Sequence, residues 1–202
     1  MTAADYAWFE DRPPGLSESY CLTLARGLTP ADFLDRLGAR ADATRTGAEA
    51  LFEPSMDLWD AHDGRELLIG VTEVSGHRGA WALGLEFNGF LGITPELLVP
   101  LSAGTITVSH SRDIEFVGGF YWAEDGVIRL YFEPMNACYR EGSTPDAVAG
   151  VMRNAGFDLR VEGEAEHCTE AALALAERIT GVRGTPALLE ESTYHCGIVP
   201  VP

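Results

Sequence analysis

Two histidine-cysteine steps, His167-Cys168 and His195-Cys196, carry the imidazole and thiolate that zinc takes in a tetrahedral site. Neighbouring residues on a strand point to opposite sides, so both members of a step reach one ion only from a loop. The competing reading is buried thiols beside unrelated histidines. Ser109-His110-Ser111-Arg112-Asp113 holds the side-chain types of a hydrolytic triad, without a Gly-x-Ser-x-Gly elbow to present the serine. A polar inter-strand loop explains the same run. Glu86, Glu115 and Glu133 fall on β-rich stretches and could meet across a sheet; Glu86, His110 and Glu133 are the candidate acid-base set of a small hydrolase-like enzyme. Asp57, Asp60, His62 and Asp63 precede Gly64, but their spacing fits no calcium loop, and a solvated turn accounts for them.

The chain has no lysine and no glutamine, and all 14 of its basic residues are arginine. A Schiff-base lysine, a pyridoxal-phosphate anchor, a Walker-A lysine and a kinase-type lysine are therefore excluded. Gly-x-Gly-x-x-Gly, His-Glu-x-x-His and Cys-x-x-Cys are also missing, and no cofactor is expected. The formal charge is -17 at pH 7. That argues against nucleic acid, whose phosphates need clustered positive charge, and favours either a basic protein partner or solubility alone. Residues 1–15 contain Asp5, Glu10 and Asp11 with no basic start or apolar core, and no stretch reaches the roughly 18 apolar residues of a membrane span. A cytoplasmic location follows as the expectation, with Cys21, Cys138, Cys168 and Cys196 as free thiols.

The elements that would position these groups centre on residues 79–133. Asp125-Gly126 between two β-rich runs predicts a type I′ hairpin turn, since both residues tolerate positive φ. A regular register from that turn sets Trp122 opposite Arg129, Tyr121 opposite Leu130 and Phe120 opposite Tyr131. One side then carries Tyr121, Ala123, Ile128, Leu130 and Phe132 as a core face, and the other carries Phe120, Trp122, Arg129 and Tyr131 as a candidate binding face. Helices covering that second side are the alternative. Residues 81–87 alternate in the same way and predict a strand with one buried side.

Thr29-Pro30 predicts a helix over 29–38, with Thr29 as cap and proline where its missing N–H costs nothing. The Thr-Pro step recurs at Thr94-Pro95, Thr144-Pro145 and Thr185-Pro186, and helices are expected over 144–156 and 169–181, the latter capped by Thr169. Residues 48–59 form a helical stretch interrupted by Pro54, and 20–24, 67–74 and 157–161 are strand candidates. The expected fold is α+β, an antiparallel and mainly meandering sheet of about five to seven strands with three or more helices on it. Residues 1–202 form one domain in this reading, with an arm over 1–18 that turns at Pro13-Pro14 and an extended C-terminal tail over 187–202.

Five stretches carry a resemblance: Tyr20-Cys-Leu-Thr-Leu-Ala-Arg-Gly-Leu-Thr-Pro30, Trp81-Ala-Leu-Gly-Leu-Glu-Phe-Asn-Gly89, Leu101-Ser-Ala-Gly-Thr105, Tyr121-Trp-Ala-Glu-Asp-Gly126 and Ala174-Leu-Ala-Glu-Arg-Ile-Thr-Gly181. Together they resemble an uncharacterised actinobacterial family described only as a domain of unknown function. The resemblance implies a soluble cytoplasmic protein, often one of several paralogues, and brings no catalytic residues with it. The leading expectation is a non-enzymatic protein-binding protein of immunity or regulatory type, and the alternative is the hydrolase-like enzyme. The sequence leaves the oligomeric state open.

Overall fold

The computed structural model describes residues 1–11, 15–161, 163 and 166–202, so the turn expected at Pro13-Pro14 lies outside the described residues. Among the described residues nine strands form the sheet: β1 (Tyr20–Arg26), β2 (Arg40–Ala41), β3 (Arg45–Thr46), β4 (Glu66–Gly76), β5 (Gly79–Phe87), β6 (Ile106–Arg112), β7 (Phe120–Glu124), β8 (Val127–Phe132) and β9 (Thr193–Pro200). Their order is β2-β9-β4-β5-β1-β6-β7-β8, with β3 also pairing β9, and the named pairings are antiparallel. The α+β class is as expected, while the strand number exceeds the five to seven read from sequence. Short β2 and β3 are part of the surplus. β9 is the rest, since the tail forms an inner strand between β2 and β4.

The helices are α1 (Pro30–Arg36), α2 (Glu49–His62), α3 (Pro95–Leu101), α4 (Ala149–Ala155), α5 (Cys168–Thr180) and α6 (Pro186–Glu191). Three of the four Thr-Pro steps open a helix at the proline, and the side chains of Thr29 and Thr185 accept the N–H groups of Asp32 and Leu188. The fourth does not. The Ser143 and Thr144 N–H groups instead donate to the carbonyls of Ile128 and Arg129, so this segment covers the outer edge of β8 and α4 starts only at Ala149. α2 runs through Pro54 unbroken, and α5 takes its N-cap from His167 rather than Thr169, ending at Gly181 with φ 73°. The 157–161 stretch is not a strand.

Helices cover both faces of the sheet. α2, α5 and the 3-10 helix Ala3–Phe9 pack on the side of Tyr20, Leu85, Val108 and Phe120, with the N-terminal arm docked through the Tyr6 hydroxyl, which donates to Glu177 at 2.8 Å. α1, α3 and the turn Leu91–Ile93 cover the side of Ala25, Ile69 and Ala82. All residues of β5 from Trp81 to Phe87 are consequently buried, where alternation alone predicted one buried side. The small residues on the second side are the reason Phe33 fits: a Cβ on Gly84 would meet its ring at 2.9 Å. Among the described residues no helix is long and apolar enough to cross a membrane.

Candidate binding cleft

Strand alternation separates the expected acid-base residues. Cys21, Thr23, Glu86 and Ser109 project to the α1 side of the sheet, while Tyr20, His110 and Arg112 project to the α5 side. Glu86 and His110 therefore stand on opposite faces and cannot act on one substrate. Glu133 follows β8 and is exposed, as is Glu115 in the loop over 113–117. The Ser109 to Asp113 run is strand β6 for all but its last residue, so its members alternate instead of converging. Asp57, Asp60 and His62 belong to α2, with Asp63 as its left-handed C-cap at φ 51°.

The buried candidates Glu86 and His110 both have packing partners. Glu86 accepts the N–H groups of Leu91 at 3.0 Å and Gly92 at 3.3 Å, fastening the turn Leu91–Ile93 to the sheet. Burial pushes its carboxyl up to about 7 against the pull of those bonds and of the Cys21 thiol. Thr23 and Ser109 hydroxyls lie 2.9 Å apart beside it. The His110 Nδ1 is 2.8 Å from the Tyr20 hydroxyl, and burial with the nearby Arg112 drives the ring down to about 3, which leaves it a neutral imidazole. Arg112 is held by Glu10 at 2.6 Å and Thr169 at 3.0 Å.

The zinc candidates do not converge. His167 is exposed beside Glu170 at 3.1 Å, Cys168 begins α5, and His195 and Cys196 sit exposed and buried on β9. Among the described residues no three histidine, cysteine or acidic side chains are grouped to hold a metal ion.

The expected binding face is corrected by one residue of register. Asp125 and Gly126 take positive φ as a type I′ turn requires, and Glu124 and Ala123 pair with Val127 and Ile128. A bulge then leaves Arg129 without an opposite residue, so Trp122 pairs with Leu130, Tyr121 with Tyr131 and Phe120 with Phe132. The bulge is kept in place by the edge segment: its Thr144 takes the Arg129 carbonyl, and a Cβ on Gly142 would come within 2.5 Å of the same oxygen. Phe120 and Trp122 consequently turn toward the α5 side, Phe120 with 0% exposure, while Tyr131 moves to the other side beside Tyr121. Arg129 turns to Glu124 at 3.5 Å. The four residues do not share one surface.

On the side that Tyr121 and Tyr131 do share, the sheet borders an open cleft of about 390 Å³. Ser111 and the two tyrosines line it from the strands, Asn88, Gly89, Phe90 and Ile93 from the turn region, and Asp113, Val117, Gly118 and Gly119 from the loop before β7. Trp59 of α2, Ser19, Arg112 and Glu133 complete it. The tyrosine rings lie 4.6 Å apart at 31°, and Trp59 meets Phe90 edge to face at 6.3 Å. Of these residues the sequence had singled out Tyr131 on the candidate face, Glu133 in the acid-base set and Ser111, Arg112 and Asp113 in the run over 109–113, and it had placed Tyr121 in the core.

Gly92 sets how closely the turn sits. A Cβ there would overlap the Thr23 hydroxyl and reach within 2.5 Å of Ser109 Oγ, and Thr23 is β-branched and buried with little freedom to yield. Gly92→Ala is expected to cost about 1–3 kcal/mol, read as a lowered urea midpoint. An unchanged midpoint would show that the turn is not seated on Thr23.

Neither the curated proteins nor the solved structures contain a match to this chain. A family model does match, over residues 1–202. The chain belongs to the family of unknown function DUF6461.

Proposed function

We propose that this is a protein-binding protein, with the cleft and the loop at its rim as the surface that meets the partner. The loop over 113–117 is the observation that carries this reading. Its Ile114, Phe116 and Val117 side chains are 72%, 53% and 54% exposed, an unusual concentration of large apolar groups in five residues. The loop is nevertheless tightly made: the Asp113 carboxylate accepts the N–H groups of Glu115 and Val117, each at 2.9 Å, and its own N–H donates to the Val117 carbonyl at 2.8 Å. Phe116 stands at φ 63°, a left-handed conformation that a bulky residue resists by about 1–2 kcal/mol. Its ring is presented over the buried Arg112 guanidinium, 4.8 Å from the ring centre. A strained, preorganised apolar loop supports recognition better than it supports folding.

Phe116→Asn separates the two roles, because asparagine accepts a left-handed backbone and lacks the ring. The thermal midpoint is expected to hold or rise, while a stoichiometric protein partner captured from native lysate by the unmodified chain is lost. Val161→Ser, at an exposed apolar site elsewhere, should retain that partner. Equal capture by all three proteins would refute the assignment of this surface.

A further inference from the structure

Resting on that reading, we propose that the cleft receives an arginine side chain of the partner, its guanidinium seated against the Tyr121/Tyr131 pair and facing Glu133. The cleft is large enough, since small-ligand sites begin near 300 Å³ and this one measures about 390 Å³. Its charge is one-sided. Burial chiefly raises both phenols, and Glu133 adds to this at Tyr131, Glu96 at Tyr121 and Glu141 at both, with no described arginine opposing them. The one basic residue on its border, Arg112, is 4% exposed with its charge taken by Glu10 on the far side of the sheet. A formal charge of -17 extends this field over the whole chain. Anionic ligands are repelled by such a site, and a neutral apolar one would strip water from Glu133 with nothing in return.

A cation is matched twice. Aromatic faces attract it through the ring quadrupole, and the carboxylate completes the pairing. Guanidinium fits better than ammonium because it is planar, stacks on tyrosine, and offers a fork to a carboxylate. Among the described residues Tyr121 and Tyr131 have no hydroxyl partner that would turn their rings away, and the rings lie together at 4.6 Å, tilted by 31°.

The test is an NMR titration of the full chain with three capped tripeptides, Gly-Arg-Gly, Gly-Lys-Gly and Gly-citrulline-Gly. The arginine peptide is expected to give saturable shifts confined to the Tyr121 and Tyr131 rings and the Trp59 indole, with citrulline about tenfold weaker or undetectable and lysine between them. Glu133→Gln, at an exposed position that leaves the fold alone, should weaken the arginine peptide by several-fold and leave citrulline unaffected. Equal affinities for arginine and citrulline, or no saturation by the arginine peptide, would overturn the proposal. The two readings fail separately. A Phe116-dependent partner without arginine binding defeats only this inference, whereas free L-arginine binding more tightly than the peptide points to a small-molecule site and defeats the protein-binding reading with it.

Discussion

Phe120→Ala is expected to destabilise the protein by about 3–5 kcal/mol, the range for emptying a fully buried aromatic site. Phe120 has 0% exposure, stacks on Phe132 at 5.1 Å, and Phe132 in turn meets Phe157 edge to face at 5.2 Å. Those rings join β7 and β8 to the end of α4, so a void there is bounded by elements that cannot easily close on it. Against a total stability of roughly 5–15 kcal/mol, the loss removes a large share of the margin. Urea denaturation reads it directly. The comparison that gives the result meaning is Tyr131→Leu, one register position away but on the cleft side, which should shift the midpoint far less. Were Phe120→Ala to leave stability unchanged, the bulge at Arg129 and the register built on it would be wrong.

That bulge also marks where sequence stops being sufficient. The type I′ turn at Asp125-Gly126 is local chemistry, since two residues tolerant of positive φ suffice to specify it, and both take positive φ. The register three residues later depends on Thr144 and Gly142, which lie across the sheet edge and have no sequence signature as partners of Arg129. One inserted residue exchanges every side chain beyond it between faces. Tyr121 therefore moves from the expected core to the cleft, and Phe120 makes the opposite journey.

The same distinction sorts the helices. Thr29-Pro30 and Thr185-Pro186 both cap through bonds within their own first turn, yet only the first was read as a helix, since residues 187–202 were expected as an extended tail that α6 in fact enters. Thr144-Pro145 has the same letters but spends its N–H on another strand. β9 was read as a tail because its pairing with β4 spans more than a hundred residues of sequence. The candidate site was legible only in fragments: Tyr131 and Glu133 stood out by type, while Trp59 and Phe90 reach the cleft from separate elements. The loop over 113–117 left one signal that local chemistry could have caught, an aspartate placed to accept N–H groups two and four residues on.

Glu86 supplies the second large effect, and it is pH-dependent. Its carboxyl is raised from 4.5 to about 7, chiefly by burial, so the folded chain binds this proton more tightly than the unfolded chain does. The contribution to stability is complete below 4.5 and is lost as pH rises through 7, amounting to about 3 kcal/mol once the group is fully ionised. Among the described residues the titratable side chain acting on the carboxyl is Cys21, whose thiol is itself held well above its usual range by burial, so no described cation rescues the charge. Glu86→Gln removes the titration while keeping an acceptor for the turn. The difference in unfolding free energy between the two proteins, in which every shared histidine cancels, should swing by about 3 kcal/mol in favour of the variant between about pH 5 and pH 8. Parallel profiles would mean that the carboxylate is solvated rather than sealed beneath the turn. Because Phe90 and Ile93 belong to the segment that Glu86 fastens, the same buried carboxyl ties one wall of the cleft to the sheet.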